Sequence, residues 1–523
     1  MTRPDPPPAT FDELQARLPE LWRSIAGGAA FHHSSVVVPS LSLDPEELAK
    51  IYGVPFYEER LLFILMRLRN PSARVLYVSS QPIPEEIIDY YLQLLVGVPS
   101  SHARRRLGLM CAHDSSPRPL TQKLLERPRL IARMRRWIGD PRRAYLTCFN
   151  SSPLESELAV ALGIPLNGAH PALLSLGTKS GCRAVFREAG VPLPAGFEDL
   201  RERGEVVARL AALARERPGI RRAMIKLNSS FSGEGNAVFT YPAGDAEKRS
   251  GAALEAALGG LRWTSSSEEQ EGYFTKLREG GGIVEELLEA DELRSPSVQL
   301  RITPTGDVVP VSTHEQVLGG ATGQTYVGCR FPADEAYRRR IQDEALKVAA
   351  VLLDRGVISR FAIDFVAWLP AGSAEWEVAA IEINLRMGST TFPFLALEFL
   401  TGGRLDPADG LYYSRRGSPK YYVSTDALKS PRYRGLLAED LFDILIEHQL
   451  YFDPGSETGA LFHMIGALSE YGKLGLICIG DSTQDAQRIY DAAVAVLDAH
   501  GPEAGPPDPG AASLLPEPVR RIE

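Results

Sequence analysis

Cysteine is scarce in this chain, with 5 among 523 residues. Cys111, Cys148, Cys182, Cys329 and Cys478 are scattered and odd in number, and none sits in a Cys-x-x-Cys or Cys/His cluster of zinc spacing. That pattern argues against a disulfide framework and for a reduced, cytoplasmic protein. Long apolar runs are also lacking. The greasiest stretch, RLLFILMRL, is too short to span a bilayer and carries arginines, so it reads as a buried helix and no membrane partner is expected. The start, MTRPDPPPATFDEL, lacks the apolar core of a signal peptide. Positive charge is in deficit: the formal net charge is −9 and the pI near 5.7. A nucleic-acid binder needs a basic surface, so no nucleic-acid partner is expected. Arginines do cluster at 104–106 and 133–136, where solvated helix faces account for them. No Walker A loop is present, because Thr178 separates Gly177 from Lys179 and Ala172 stands where the earlier glycine belongs. GEGNAV is no dinucleotide fingerprint either.

What is there is ordinary in bulk and specific in detail. Hydrophobic content is 44% and charged content 24%, typical of a globular protein. The length predicts two to four domains. The proline-rich residues 1–10 and the Pro/Gly/Ala-rich residues 501–523 are expected to be disordered. Residues 11–170 alternate strand and helix patterns, as in ARVLYVSS before PIPEEIIDYYLQLLVGV, and predict a parallel α/β domain. Residues 171–280 hold a helix ending at Gly190, a second helix, then strand, glycine-rich turn and strand. Residues 281–402 are strand-rich, and residues 403–500 read as a small additional α/β lobe. The fold class is therefore mixed, α/β and α+β.

Three oxygen-bearing side chains stand out. Asp364 lies in RFAIDFVAW, and Glu382 and Asn384 in EVAAIEINLR, two apolar runs joined by PAGS. Strand alternation puts Glu382 and Asn384 on one face. A hairpin would bring Asp364 near Glu382, in a register the sequence does not fix. Hard oxygen ligands suit Mg²⁺ shared with phosphates. The plainer alternative is a strand whose polar residues face water. Lys226, in the strand-like AMIKLN, could meet a phosphate as a fixed charge. In the loop NSSFSGEGNAVF, Gly233 and Gly235 can take positive φ and let backbone N–H groups approach phosphate oxygens. An ordinary hairpin with a glycine turn is the alternative. In IVEELLEADEL, Leu287 and Leu288 could flank an adenine ring and Glu292 could hold ribose, or the segment could be a solvated acidic loop.

The order of these motifs resembles the ATP-grasp superfamily of ligases over residues 170–402. The resemblance rests on Lys179 before GVPLP, Lys226 before a glycine-rich loop, the VEELLEADE hinge, Asp364 and EINLR. A narrower resemblance, carried by LRSPSVQLRITPTGDVVPVSTHEQVLGG and YVGCRFP, is to the peptide ligases of pheganomycin biosynthesis. The resemblance implies an ATP-grasp fold with an N-terminal α/β domain and two lobes gripping ATP. Lys179 and Lys226 would contact the α- and β-phosphates, with Lys226 also catalytic. Ser229, Ser230, Ser232, Gly233 and Gly235 would cover the phosphates. Glu285, Glu286, Leu287 and Leu288 would meet adenine, and Glu292 the ribose. Asp364, Glu382 and Asn384 would hold one or two Mg²⁺, with Mn²⁺ as a substitute. Aspartate at 364 departs from the glutamate common in the family.

By the same resemblance Arg386 would be catalytic, stabilising the γ-phosphoryl and later an oxyanion. Arg301 and Arg330 are candidates for holding a substrate carboxylate. His314, Glu315 and Gln316 are candidates for positioning the acceptor or its amine; the alternatives are an arginine paired with a nearby acid and a histidine satisfied in the core. The implied activity joins a small carboxylic acid or amino acid to an amine or peptide through an acylphosphate. A small-molecule kinase of the same fold and an inactive nucleotide-binding regulator are the alternatives, and a homodimer is left open.

Overall fold

The computed structural model describes residues 9–28, 31–43, 48, 49, 51–229, 235–264, 269–319 and 325–501. The residues expected to be disordered fall almost wholly outside this set. Thr10 is described, and it caps the helix Phe11–Gln15 in a reciprocal box with Glu13.

The N-terminal region builds a four-stranded, all-parallel sheet. Its order is Leu107–Cys111, Ala73–Ser79, His33–Val38, Ala144–Cys148. Strands in such a sheet are covered on both faces, and all six residues of His33–Val38 are buried. The helices follow the proline signals: Glu85–Gln93 starts after Pro84, and Pro153–Leu162 carries its proline in the first turn with Ser152 as N-cap. The run RLLFILMRL lies in Val54–Arg69, a 16-residue tightly wound helix whose middle is fully buried.

A second, five-stranded sheet follows, ordered Gly196–Leu200, Gly282–Glu286, Arg222–Leu227, Asn236–Thr240, Arg262–Trp263 and antiparallel throughout. The helices Arg203–Glu216 and Gln270–Gly280 pack on it around Leu210, Tyr273 and Phe239.

The third sheet has 11 strands. It starts with Glu377–Asn384 on Ser359–Leu369 and passes through Pro296–Ile302, Val308–Gly319 and Thr325–Phe331. It does not stop at residue 402. Pro419–Lys429 pairs with Thr325–Phe331, and Lys473–Gly480 and Gly459–His463 continue beyond it. The region read as an additional lobe is thus an extension of the preceding sheet. Its core is shared as well: Phe63 and Tyr91 from the N-terminal region join Phe331, Phe394, Tyr422 and Leu476 in one buried cluster. Each segment presents an apolar surface that it cannot cover alone, so the two ends of the chain close over each other.

Candidate functional site

The five-stranded sheet and the 11-stranded sheet face each other across a cleft of about 310 Å³. Its floor is the hairpin Ser359–Leu369 with Glu377–Asn384. Asp364 is paired directly with Glu382, and Ala362 with Asn384, with an irregularity just after Asp364. That register brings the three oxygen-bearing side chains together. Asn384 donates Nδ2 to Asp364 Oδ2 at 3.0 Å, and Gln316 donates Nε2 to Asp364 Oδ1 at 2.8 Å.

Two carboxylates so close in a half-buried site disfavour joint ionisation. Burial, then the charge of Glu382, pushes Asp364 up to about 7, against Lys179, Arg386 and Gln316. Glu382 moves down: burial would raise it, but Lys179, 2.6 Å away, and Arg386 outweigh that. Burial alone would lower Lys179, and Glu382 reverses it to a net rise. The donor set, two converging carboxylates and an amide on a rigid hairpin, fits a hard divalent cation, whose charge would relieve the repulsion.

Lys226 projects from Arg222–Leu227 into the same cleft, and its Nζ lies 2.5 Å from Glu285 Oε1. Glu285 is 3% exposed and its other oxygen meets Arg183 Nη1 at 2.9 Å. Glu285 also lines the cleft, with its side chain a charge partner of Lys226 and Arg183. Glu286 lines the cleft too, its carboxylate accepting from the Ala195 N–H at 3.0 Å and standing 3.2 Å from Arg217. Leu287 and Leu288 do line the cleft, with Met224, Leu293 and Val366 forming an apolar end. Along the floor strand, Val366 and Ala362 are about 13 Å apart. Asp364 lies between them, about 7 Å from Val366.

The remaining residues divide. Arg386, at the charged end, is half-buried beside the acids. Burial lowers it, while Glu382 and Asp364 pull upward. Gln316 also lines the cleft. Gly235 has φ of 70° and accepts from the Leu227 N–H, closing the hairpin. Ser229 is exposed and does not line the cleft, and Ser230, Ser232 and Gly233 lie outside the described residues. Glu292 is exposed on Glu292–Arg294 and does not line the cleft, although Leu293 beside it does.

Four expected substrate residues point elsewhere. Arg301 stacks over the Trp22 ring at 5.4 Å. His314 is fully buried with Nε2 2.5 Å from the Tyr422 hydroxyl, and burial drives it down to about 3. Glu315 accepts from the Tyr337 hydroxyl at 2.6 Å. Arg330 is on Thr325–Phe331 but off the cleft lining. Strand alternation accounts for Glu315 and Arg330, which pair with each other on the face opposite Gln316, whereas His314 shares the face of Gln316 but is taken up by Tyr422.

Sequence reasoning missed Arg60, Phe149, Ser389 and Thr390, which also line the cleft. Ser389 and Thr390 follow EINLRMG directly, so proximity to the acidic strand was an available signal. Nothing local marks Arg60 or Phe149.

The arrangement is a two-sheet grip with lysines above a carboxylate hairpin. A model described as "IQCH-like, ATP-grasp" matches residues 171–243 and 262–408, and one described as "PGM1 C-terminal domain" matches 440–493. The L-propargylglycine–L-glutamate ligase of Streptantibioticus cattleyicolor is 30% identical over 479 residues, covering 90% of this chain and 95% of that protein. IQ motif-containing protein H of Danio rerio is 23% identical over 415 residues, 71% of this chain and 39% of that protein. In fold, the chain is similar to a biotin carboxylase of Campylobacter jejuni (TM-score 0.53, 13% identity, 88% of this chain and 90% of that chain). It is similar also to an N5-carboxyaminoimidazole ribonucleotide synthetase solved with ADP (TM-score 0.50, 10% identity, 89% of this chain and 97% of that chain). The chain belongs to the ATP-grasp family of ligases.

Proposed function

We propose that this protein is an ATP-dependent carboxylate–amine ligase acting on amino acids or peptides, releasing ADP and phosphate. The observation that carries the reading is the convergence of Lys179, Lys226, Arg386 and the Asp364–Glu382–Asn384 hairpin on one cleft with an apolar end. Leu287, Leu288, Met224 and Val366 would take the adenine. Lys179 and Lys226 would leave their carboxylate partners to meet the phosphates, a short movement for flexible ammonium groups. Asp364, Glu382 and Asn384 would hold Mg²⁺, which when bound offsets charge on the phosphate oxygens. Mn²⁺ as a substitute belongs to the same proposal.

A carboxylate oxygen attacks the γ-phosphorus and ADP leaves, giving an acylphosphate. An amine nitrogen then attacks the acyl carbon, loses its proton, and phosphate leaves. Arg386 would neutralise charge in both steps, and its burial would raise its effect there. No side-chain nucleophile is needed, and the five thiols are free, which supports work in a reducing cytoplasm. Among the described residues no helix is long and apolar enough to cross a membrane.

The test uses purified protein with ATP, Mg²⁺, a panel of L-amino acids including L-glutamate, and hydroxylamine as a general amine. ADP together with an amino-acyl hydroxamate is the expected result. A stable phosphorylated amino acid without hydroxamate would replace the ligase by a kinase. ATP binding with no ADP from any panel member would replace both by a regulator.

A further inference from the structure

The charged end of the cleft is closed by a group from a distant part of the chain. Arg60, on Val54–Arg69, lines the cleft beside Phe149, Ser389 and Thr390, yet its side chain is only 4% exposed. Its Nη2 meets Asp426 Oδ2 at 2.6 Å, and Ser389 donates its hydroxyl to the same oxygen at 2.8 Å. Asp426 comes from Pro419–Lys429, in the region beyond residue 402. The guanidinium carbon stands 3.8 Å from the Tyr57 ring centre and 5.8 and 5.9 Å from the rings of Phe149 and Phe392. Arg60 Nε is buried and has no hydrogen-bond partner among the described residues.

A buried arginine kept only for structure gains by saturating its fork, because an orphaned buried donor carries an uncompensated desolvation cost. Here one edge is tied to Asp426, the plane is fixed by aromatic rings, one buried donor is left without a partner among the described residues, and the residue lines the cleft. A planar, preorganised fork of this kind matches a carboxylate. Arg386 is close enough for the two cations to oppose each other electrostatically. An anion held between them would relieve that opposition. The lysines that would serve the phosphates are paired with other acids, Lys179 with Glu382 and Lys226 with Glu285.

We propose that Arg60, held in place by Asp426 and Ser389, forms a carboxylate subsite for an amino-acid substrate at the charged end of the cleft. The proposal rests on the ligase reading above. The carboxylate is that of the acyl donor or of the amine acceptor, and the test separates the two.

Native protein and Arg60→Lys are titrated calorimetrically with a panel of L-amino acids and their α-carboxamides, in the presence of MgADP so that nothing turns over. The substitution should weaken binding of at least one amino acid about tenfold or more. The matching carboxamide should bind both proteins equally weakly. In turnover, hydroxylamine supplies a nucleophile without a carboxylate. A higher KM for the donor in that assay assigns the subsite to the donor. An unchanged hydroxylamine assay with a higher KM for an amino-acid nucleophile assigns it to the acceptor. Both results support the proposal.

Unchanged binding and KM, a rise in the KM for ATP alone, or no amino acid bound by the native protein would overturn it. Ser389→Ala, which loosens Asp426 without touching the fork, should weaken binding by a smaller factor. It decides by the same criteria if Arg60→Lys does not fold. Absence of ADP from the native protein defeats the ligase reading, whereas the titration still reads the subsite directly.

Discussion

Arg386 and His314 differ in their surroundings. Arg386 lies beside Asp364 and Glu382 in the cleft, where charge would develop in the proposed reaction. Arg386→Ala should lower kcat about 100- to 1,000-fold while leaving the KM for ATP nearly unchanged. Steady-state kinetics in ATP would check this, and equal losses in both parameters would remove the catalytic role. His314 is a core residue whose Nε2 is held by the Tyr422 hydroxyl. Tyr422→Phe strands that nitrogen and should cost about 1–3 kcal/mol of stability, read by denaturant unfolding. Substrate KM values should not move; a shift would return His314 to the substrate site. Sequence made both residues polar members of strand patterns. Only burial told them apart.

At the scale of elements, the hairpin and the helix Val54–Arg69 show two kinds of legibility. The hairpin was readable because apolar alternation, a turn-like PAGS and the acidic residues all agreed. Its register was not, because pairing of Asp364 with Glu382 depends on an irregularity inside the strand. The helix was recognisable as buried, but not what its polar residues do. Glu59 on that helix is 4% exposed, and burial chiefly pushes it up to about 7, with Glu58 adding to the rise and the Gly466 and Ile465 N–H groups opposing it. Burial moves Glu58 up to about 7 as well, against Ser80 and Lys123. The folded state thus favours neutral carboxyls. Their contribution to stability is complete below the ordinary value of 4.5 and is lost as pH rises through about 7. The melting temperature should fall from about pH 5 to about pH 8, and Glu59→Gln should flatten the fall. Identical slopes for native protein, Glu59→Gln and Glu58→Gln would refute this account.

At the scale of the whole molecule, the two chain ends form one core with the hairpin sheet between them. Removing residues 403–501 would strip Pro419–Lys429 from Thr325–Phe331 and uncover Phe331 and Phe394, both now buried. Such a truncated chain should lose cooperative unfolding and aggregate, as an open apolar strand edge does. Calorimetry and size-exclusion chromatography would check it. A soluble product that still binds ATP would make the region a separable lobe after all. The same closure delivers Asp426, and through it Arg60, to the cleft.

The sequence by itself determined the parts: the parallel α/β pattern, the lysine strand, the leucine pair and the acidic hairpin. Each of these is set by local periodicity and by residue chemistry within a few positions. The tertiary structure alone decided which polar residues face the cleft. It sent His314, Glu315 and Arg301 to other partners, turned Glu285 onto Lys226, and brought Arg60 to Asp426 across more than three hundred residues. Those choices depend on burial and on contacts between distant segments, and neither is encoded in spacing along the chain.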